Sequence, residues 1–303
     1  MLIEKIKNKQ SNIIVYGITP PKDSTDPERV AEIAAKQVAR LQGLDLDGLV
    51  LYDIQDEASR TSVERPFPFM ATLDAYDYAE QHLTNLPIAK IIYRAAGKYS
   101  KEELTQFLNS TELDRHATVF VGAASKGQDV TLSMQQAYSL KNKVNPDLLI
   151  GGVTIPERHQ TKGDEHIRVF DKIGQGCDFF VSQGVYDVNA SKNFLSDYYY
   201  YGKEHNIPLA PILFTLTPCG SPKTLEFMKW LGISIPKWLE NELIHSKDIL
   251  QQSVDYSEKA YLELKAFADE KNIPIGCNIE SVATRKVEID ASIELVNRIK
   301  RHS

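Results

Sequence analysis

The sequence predicts a (β/α)8 barrel, and three observations carry that expectation. Short apolar runs alternate with amphipathic helical patterns eight times along 303 residues, a repeat of roughly 35 residues. The strand runs are rich in Val and Ile and almost free of charge, as parallel strands covered on both faces must be. No Gly-x-Gly-x-x-Gly follows the first strand, which leaves an open doubly wound sheet in second place.

The strands are read at 12–18, 48–54, 89–95, 117–123, 148–155, 177–183, 210–217 and 275–282. Helical patterns lie between them at 26–44, 73–83, 100–110, 131–144 and 163–176. Asp26-Pro27-Glu28-Arg29 opens the first of these with a capping side chain, Pro at the first helical position and an acid in the first turn. Ser100-Lys101-Glu102-Glu103 has the same grammar. The seventh unit is longer than the others: two helical pieces, 222–231 and 235–243, precede a long helix over 247–272. Such an insertion suits a substrate contact, a subunit contact in a homo-oligomer, or plain surface elaboration. No linker or low-complexity segment interrupts the chain, so 1–303 is read as one domain, a barrel with extra helices after strand seven.

Composition narrows the function. A hydrophobic content of 42% supplies a large core, and a net charge of −6 with a pI near 5.7 argues against nucleic acid as a partner. No apolar run is long enough to span a membrane. The start, Met1-Leu2-Ile3-Glu4-Lys5-Ile6-Lys7, lacks the apolar core of a signal peptide, so a cytoplasmic protein is expected. Cys177, Cys219 and Cys277 are few, odd in number and far apart, which reads as reduced thiols packed in strands.

A barrel presents its chemistry at the carboxyl ends of its strands. Thr19 follows strand one; Asp53, Gln55, Asp56 and Glu57 follow strand two; Arg94 ends strand three; Ser125 and Lys126 follow strand four. Glu157, Arg158 and His159 follow strand five, Ser182, Gln183, Tyr186 and Asp187 follow strand six, and Thr215 and Thr217 close strand seven. Glu280 and Arg285 belong to strand eight and its loop. A buried amide such as Gln183 needs both its donor and its acceptor used, which favours a ligand contact over a capped strand end. A carboxylate inside a strand, as at Glu280, is costly unless paired or functional. Asp56 and Glu57 sit in a charged loop and suit solvation equally well, and Lys172 lies on a helix where solvation is the default. No strand lysine stands where a Schiff-base aldolase would need one, no Gly-x-Ser-x-Gly or His-Glu-x-x-His occurs, and no metal-ligand spacing is present, so no metal is expected.

Several motifs together resemble the methylenetetrahydrofolate reductase family. They are Ile18-Thr19-Pro20-Pro21, Ile155-Pro156-Glu157-Arg158-His159, Lys172-Ile-Gly-Gln-Gly-Cys-Asp178 with Ser182-Gln-Gly-Val-Tyr-Asp187, the run 211–218, and Ile235-Pro236. The resemblance implies reduction of the methylene bridge of a tetrahydrofolate derivative to a methyl group, with NAD(P)H as hydride donor, with or without bound FAD. It implies that His159 and Lys172 hold the flavin, Gln183 and Tyr186 the folate, and that Arg285 lies near the folate tail. The family's acid before its Phe-Phe-Pro-Pro falls on Gly17 here, and its Arg-Gly-Asp after strand four falls on Gly122-Ala123-Ala124. Glu280 or Glu57 is therefore the expected replacement acid. A folate-dependent methyl-transfer or demethylation protein and a non-catalytic folate-binding barrel are the alternatives.

Overall fold

The eight apolar runs form eight parallel strands: β1 (Ile14–Ile18), β2 (Gly48–Leu51), β3 (Ala89–Ala95), β4 (His116–Val121), β5 (Leu149–Thr154), β6 (Phe179–Gly184), β7 (Ile212–Leu216) and β8 (Ile275–Glu280). The computed structural model describes residues 2–56, 61–123 and 130–302. The strands follow one another around a closed barrel in chain order, and β8 closes onto β1. The expected fold class is the one observed. Strand ends fall within three residues of the expected runs, most of them inside, because an apolar residue can continue past the last ladder bond.

The surrounding helices are α1 (Leu2–Lys7), α2 (Pro27–Leu41), α3 (Ala75–His82), α4 (Lys101–Ser110), α5 (Met134–Val144), α6 (Pro156–Lys162) and α7 (Glu165–Gly174). They continue with α8 (Val188–His205), α9 (Pro222–Trp230), α10 (Lys237–His245), α11 (Ile249–Asp269) and α12 (Lys286–Lys300). Local chemistry starts them where expected. The Asp26 side chain accepts from the Glu28 amide with Pro27 at the first position, and Ser100 with Glu103 closes a reciprocal capping box. The insertion after β7 is α9 and α10.

The first helix has no counterpart among the helices expected from the sequence. α1 is two turns long, too short for periodicity to declare it. Its Leu2, Ile3 and Ile6 are buried with Ile13, Val15, Val50, Ile91, Ala117 and Phe179, so the helix plugs the amino-terminal end of the barrel. The chemistry is left to the opposite end.

Inside the barrel, small residues make room for large ones. A Cβ on Gly151 would lie 2.6 Å from the Phe179 ring. A Cβ on Gly276 would lie 2.2 Å from the backbone oxygen of Ile13, which no rotamer change can relieve. Gly276→Ala is therefore expected to destabilise the barrel by about 1–3 kcal/mol, the usual cost of overpacking. A lowered denaturant midpoint at unchanged slope checks it; an unchanged midpoint would contradict this account of the β1–β8 seam.

Candidate functional site

The carboxyl ends of β8, β2 and β7 share a chain of polar side chains on the inner face of the barrel. Asn278 in β8 donates from Nδ2 to the Tyr52 hydroxyl at 2.7 Å and to Thr215 Oγ1 at 3.0 Å. Thr215 in turn donates to the Ser182 carbonyl at 2.6 Å, carrying the chain across to β6. Glu280 stands two residues beyond Asn278, on the same face of the strand, and is hydrogen-bonded to Tyr52 and Asn278. Burial pushes the Glu280 carboxyl above its ordinary value, with the bonds from Tyr52 and Asn278 partly opposing that rise. Tyr52 meets Tyr93 edge to face at 4.9 Å, and burial raises both phenols well above the ordinary range. The result is a polar rim above an apolar plug, with one acid in it whose pKa burial raises.

Position 17 explains why this arrangement is possible. Gly17 is the β1 register partner of Glu280. A Cβ on it would lie 2.9 Å from the Tyr52 ring and 3.2 Å from Asn278 Oδ1. Tyr52 and Asn278 occupy the space that a side chain on β1 would need, and the carboxyl enters from the neighbouring strand instead.

A wall beside the rim is built by the segment after β2 folding onto α9. The Trp230 indole donates to the Val63 carbonyl at 2.9 Å, and Arg65 donates to the Phe67 carbonyl at 2.7 Å. The Arg65 guanidinium lies 5.1 Å from the Phe227 ring centre and 5.2 Å from that of Trp230, while Phe67 meets Phe227 edge to face. Gln183, at the end of β6, donates from Nε2 to the Leu231 carbonyl at 2.8 Å, joining the strand to the turn after α9.

The other expected site residues fall into different surroundings. Tyr186 is fully buried beneath α11; its hydroxyl donates to the Thr217 carbonyl at 2.6 Å and meets Ser253 Oγ at 3.0 Å. That placement makes it a core residue with its polar atom satisfied rather than a group facing the mouth. Arg285 is exposed before α12, with Nε 3.9 Å from Glu288. His159 points between helices: Nε2 meets Asp197 of α8 at 2.9 Å and its ring packs on Phe194. Lys172 lies along the outer face of β5 beside Gly152, and its ammonium donates to the Val153 carbonyl at 2.6 Å, with burial lowering its pKa. Glu57, Ser125 and Lys126 lie outside the described residues.

Asp53 and Arg94 also face outward. Asp53 accepts from the Ala95 amide and the Tyr99 hydroxyl and pairs with Lys98, while Arg94 pairs with Asp74. They bind the barrel to its helices. The three cysteines are buried and unbridged; burial raises Cys177 to about 11 and Cys219 to about 12, and raises Cys277 also, so none is a poised nucleophile. Among the described residues no helix is long and apolar enough to cross a membrane.

Glu157 stands apart. It occupies the first turn of α6 at the end of β5, is 8% exposed, and neither carboxyl oxygen has a partner. Burial, with Asp187 and Glu165 adding repulsion, pushes its pKa up to about 8. It is the second acid at the carboxyl end of the barrel whose environment favours the neutral form.

No family model matches the chain, and no curated protein does. Solved structures do. An uncharacterized protein from Clostridium thermocellum that binds two copies of 5-methyl-5,6,7,8-tetrahydrofolic acid is 53% identical, with a TM-score of 0.89 and 100% of each chain covered. The GH10 xylanase of Thermobacillus composti is 11% identical with a TM-score of 0.53, over 100% of both chains. Xylanase10C of Cellvibrio japonicus is 11% identical with a TM-score of 0.54, over 97% of this chain and 63% of its own. At that identity the xylanases share the barrel and nothing more.

Proposed function

This chain belongs to the same family as the Clostridium thermocellum protein, and on that ground we propose that its barrel mouth binds a reduced folate of the 5-methyltetrahydrofolate class. The full-length identity of 53% carries the ligand. The chemistry of the rim supports the site: a pterin is a flat heterocycle edged with donors and acceptors. It suits Tyr52 and Tyr93 for apolar contact, with Asn278, Glu280 and Gln183 for its polar edge.

The reaction we propose is reduction of 5,10-methylenetetrahydrofolate to 5-methyltetrahydrofolate, in line with the motifs that resemble methylenetetrahydrofolate reductases. Glu280 gives its proton to the departing nitrogen, the C–N bond of the methylene bridge breaks, and hydride from NAD(P)H adds to the carbon of the resulting iminium. The nicotinamide leaves oxidised and the methyl group is complete. The observation that supports Glu280 in this role is its register opposite Gly17, which returns a carboxyl to the neighbourhood where the resemblance lacks one. Flavin is a different matter. The two side chains assigned to it, His159 and Lys172, are engaged with Asp197 and with the Val153 carbonyl, and this arrangement does not fit a flavin cradle. Direct hydride transfer from NAD(P)H to the folate is the simpler chemistry.

Calorimetric titration with 5-methyltetrahydrofolate tests the ligand, and NAD(P)H oxidation dependent on methylenetetrahydrofolate tests the reaction. Saturable binding with turnover supports both. Binding without turnover, even with FAD added, leaves a folate-binding or methyl-transfer barrel, and dependence on a methyl acceptor separates those two. Absence of binding would overturn the reading as a whole.

A further inference from the structure

Three side chains on the outer layer of the barrel, each from a different helix, converge on one point. His159 comes from α6, His166 from α7 and Asp197 from α8. One ligand atom from each lies within 4.8 Å of the other two. We infer that these residues form a site for a borderline divalent cation of the zinc type, held by two imidazoles and a carboxylate with a further position open to water.

The unsatisfied nitrogens carry the argument. His159 Nδ1 and His166 Nδ1 are both buried with no hydrogen-bond partner, which is rare for buried polar atoms. His159 Nε2 lies 2.9 Å from Asp197 Oδ2. If that nitrogen holds the ring proton, Nδ1 is a buried lone pair with no donor; if Nδ1 holds it, the Nε2 lone pair faces a carboxylate. In either tautomer an imidazole lone pair lacks a donor, and a cation supplies the missing partner.

The geometry is close to what such an ion takes. Tetrahedral ligands at about 2.0–2.1 Å from zinc stand about 3.3 Å apart. His159 Nε2 and Asp197 Oδ2 stand 2.9 Å apart, close to that spacing, and His166 needs to close by at most about 1.5 Å. The two rings meet edge to face at 5.2 Å, and Tyr201 and Phe194 shield them on their other sides. The Asp197 side chain is 54% exposed and gives the ion its way in. Two imidazoles and a carboxylate favour zinc, cobalt or nickel over calcium or magnesium. The ion would pin α6, α7 and α8 to one another, outside the barrel mouth, so this site stands or falls independently of the folate reading.

The test uses the whole chain stripped with a chelator and titrated with Zn2+ against a competing dye, then with Co2+ read in the visible. One equivalent of zinc, a cobalt d–d band without thiolate charge transfer, and a rise in Tm of about 4 °C at a hundredfold excess over Kd are expected. Asp197→Asn, at an exposed position that leaves folding intact, and His166→Gln should each weaken uptake at least about 100-fold. No uptake, uptake unchanged in Asp197→Asn, or a thiolate band placing the metal on cysteine would overturn the assignment.

Discussion

Glu280→Gln is expected to cut methylenetetrahydrofolate-dependent oxidation of NAD(P)H by about 10²- to 10⁴-fold, the usual contribution of one general acid. The amide keeps the size and the hydrogen bonds of the neutral carboxyl, so affinity for 5-methyltetrahydrofolate should stay within about threefold. The pH dependence follows from the direction of the shift. Burial raises the Glu280 carboxyl above its ordinary 4.5, so the folded protein keeps the proton after the unfolded chain has released it. Turnover that needs the proton is therefore full at low pH and falls as pH rises through the raised value. The variant should retain only a small rate that ignores this range. Equal losses of binding and turnover would instead make Glu280 a pterin-binding residue, since a step specific to the transition state leaves ground-state affinity alone. Tyr52→Phe offers a second reading of the same contact: it removes a hydrogen bond that stabilises the ionised acid, so the alkaline limb should move to higher pH.

The barrel was legible in the chain because its signals repeat: each strand is a short apolar run, and many of the helices open on a capping side chain. The mouth was less legible, for a physical reason. Strands covered on both faces show no alternation of apolar and polar residues, so their parity cannot be read from pattern. Asp53 and Arg94 drew attention by charge, yet both face outward and tie the sheet to its helices. Their neighbours Tyr52 and Tyr93 face the mouth. β8, where Asn278 and Glu280 are two residues apart, carried a polar alternation that pointed inward. Tyr186 shows the converse. An aromatic hydroxyl after a strand looks available in sequence, and a long insertion then buries it. The meeting of His159, His166 and Asp197 was invisible to spacing, because the three residues share no helix and are assembled only by packing.

Glu157→Gln is expected to make the protein more stable, and more so as pH rises. The Glu157 carboxyl is buried with both oxygens unpartnered, and its pKa is pushed from 4.5 up to about 8. A carboxyl with a raised folded pKa contributes no penalty below the unfolded value. Above it, the unfolded chain gives up its proton while the folded one must keep it, so stability falls steadily until the folded value is passed. At pH 7 the accumulated cost is about 3 kcal/mol, which in a chain of this length corresponds to about 5 °C in Tm. Glutamine stands in for the protonated acid at every pH. The two proteins should therefore melt together near pH 4.5, separate through the neutral range, and hold a constant gap above about pH 8. Thermal melts across that window decide it, and a gap that does not change with pH would show that the carboxyl is solvated after all. A buried acid with a raised pKa at the carboxyl end of a barrel has the features of a functional position. The same substitution should accordingly weaken 5-methyltetrahydrofolate binding by about tenfold, the worth of one hydrogen bond to a charged or proton-sharing partner. Stability gained with affinity lost would join Glu157 to the rim formed by Glu280, Asn278 and Tyr52; stability gained with affinity unchanged would confine the ligand to the β8–β1–β2 side of the mouth.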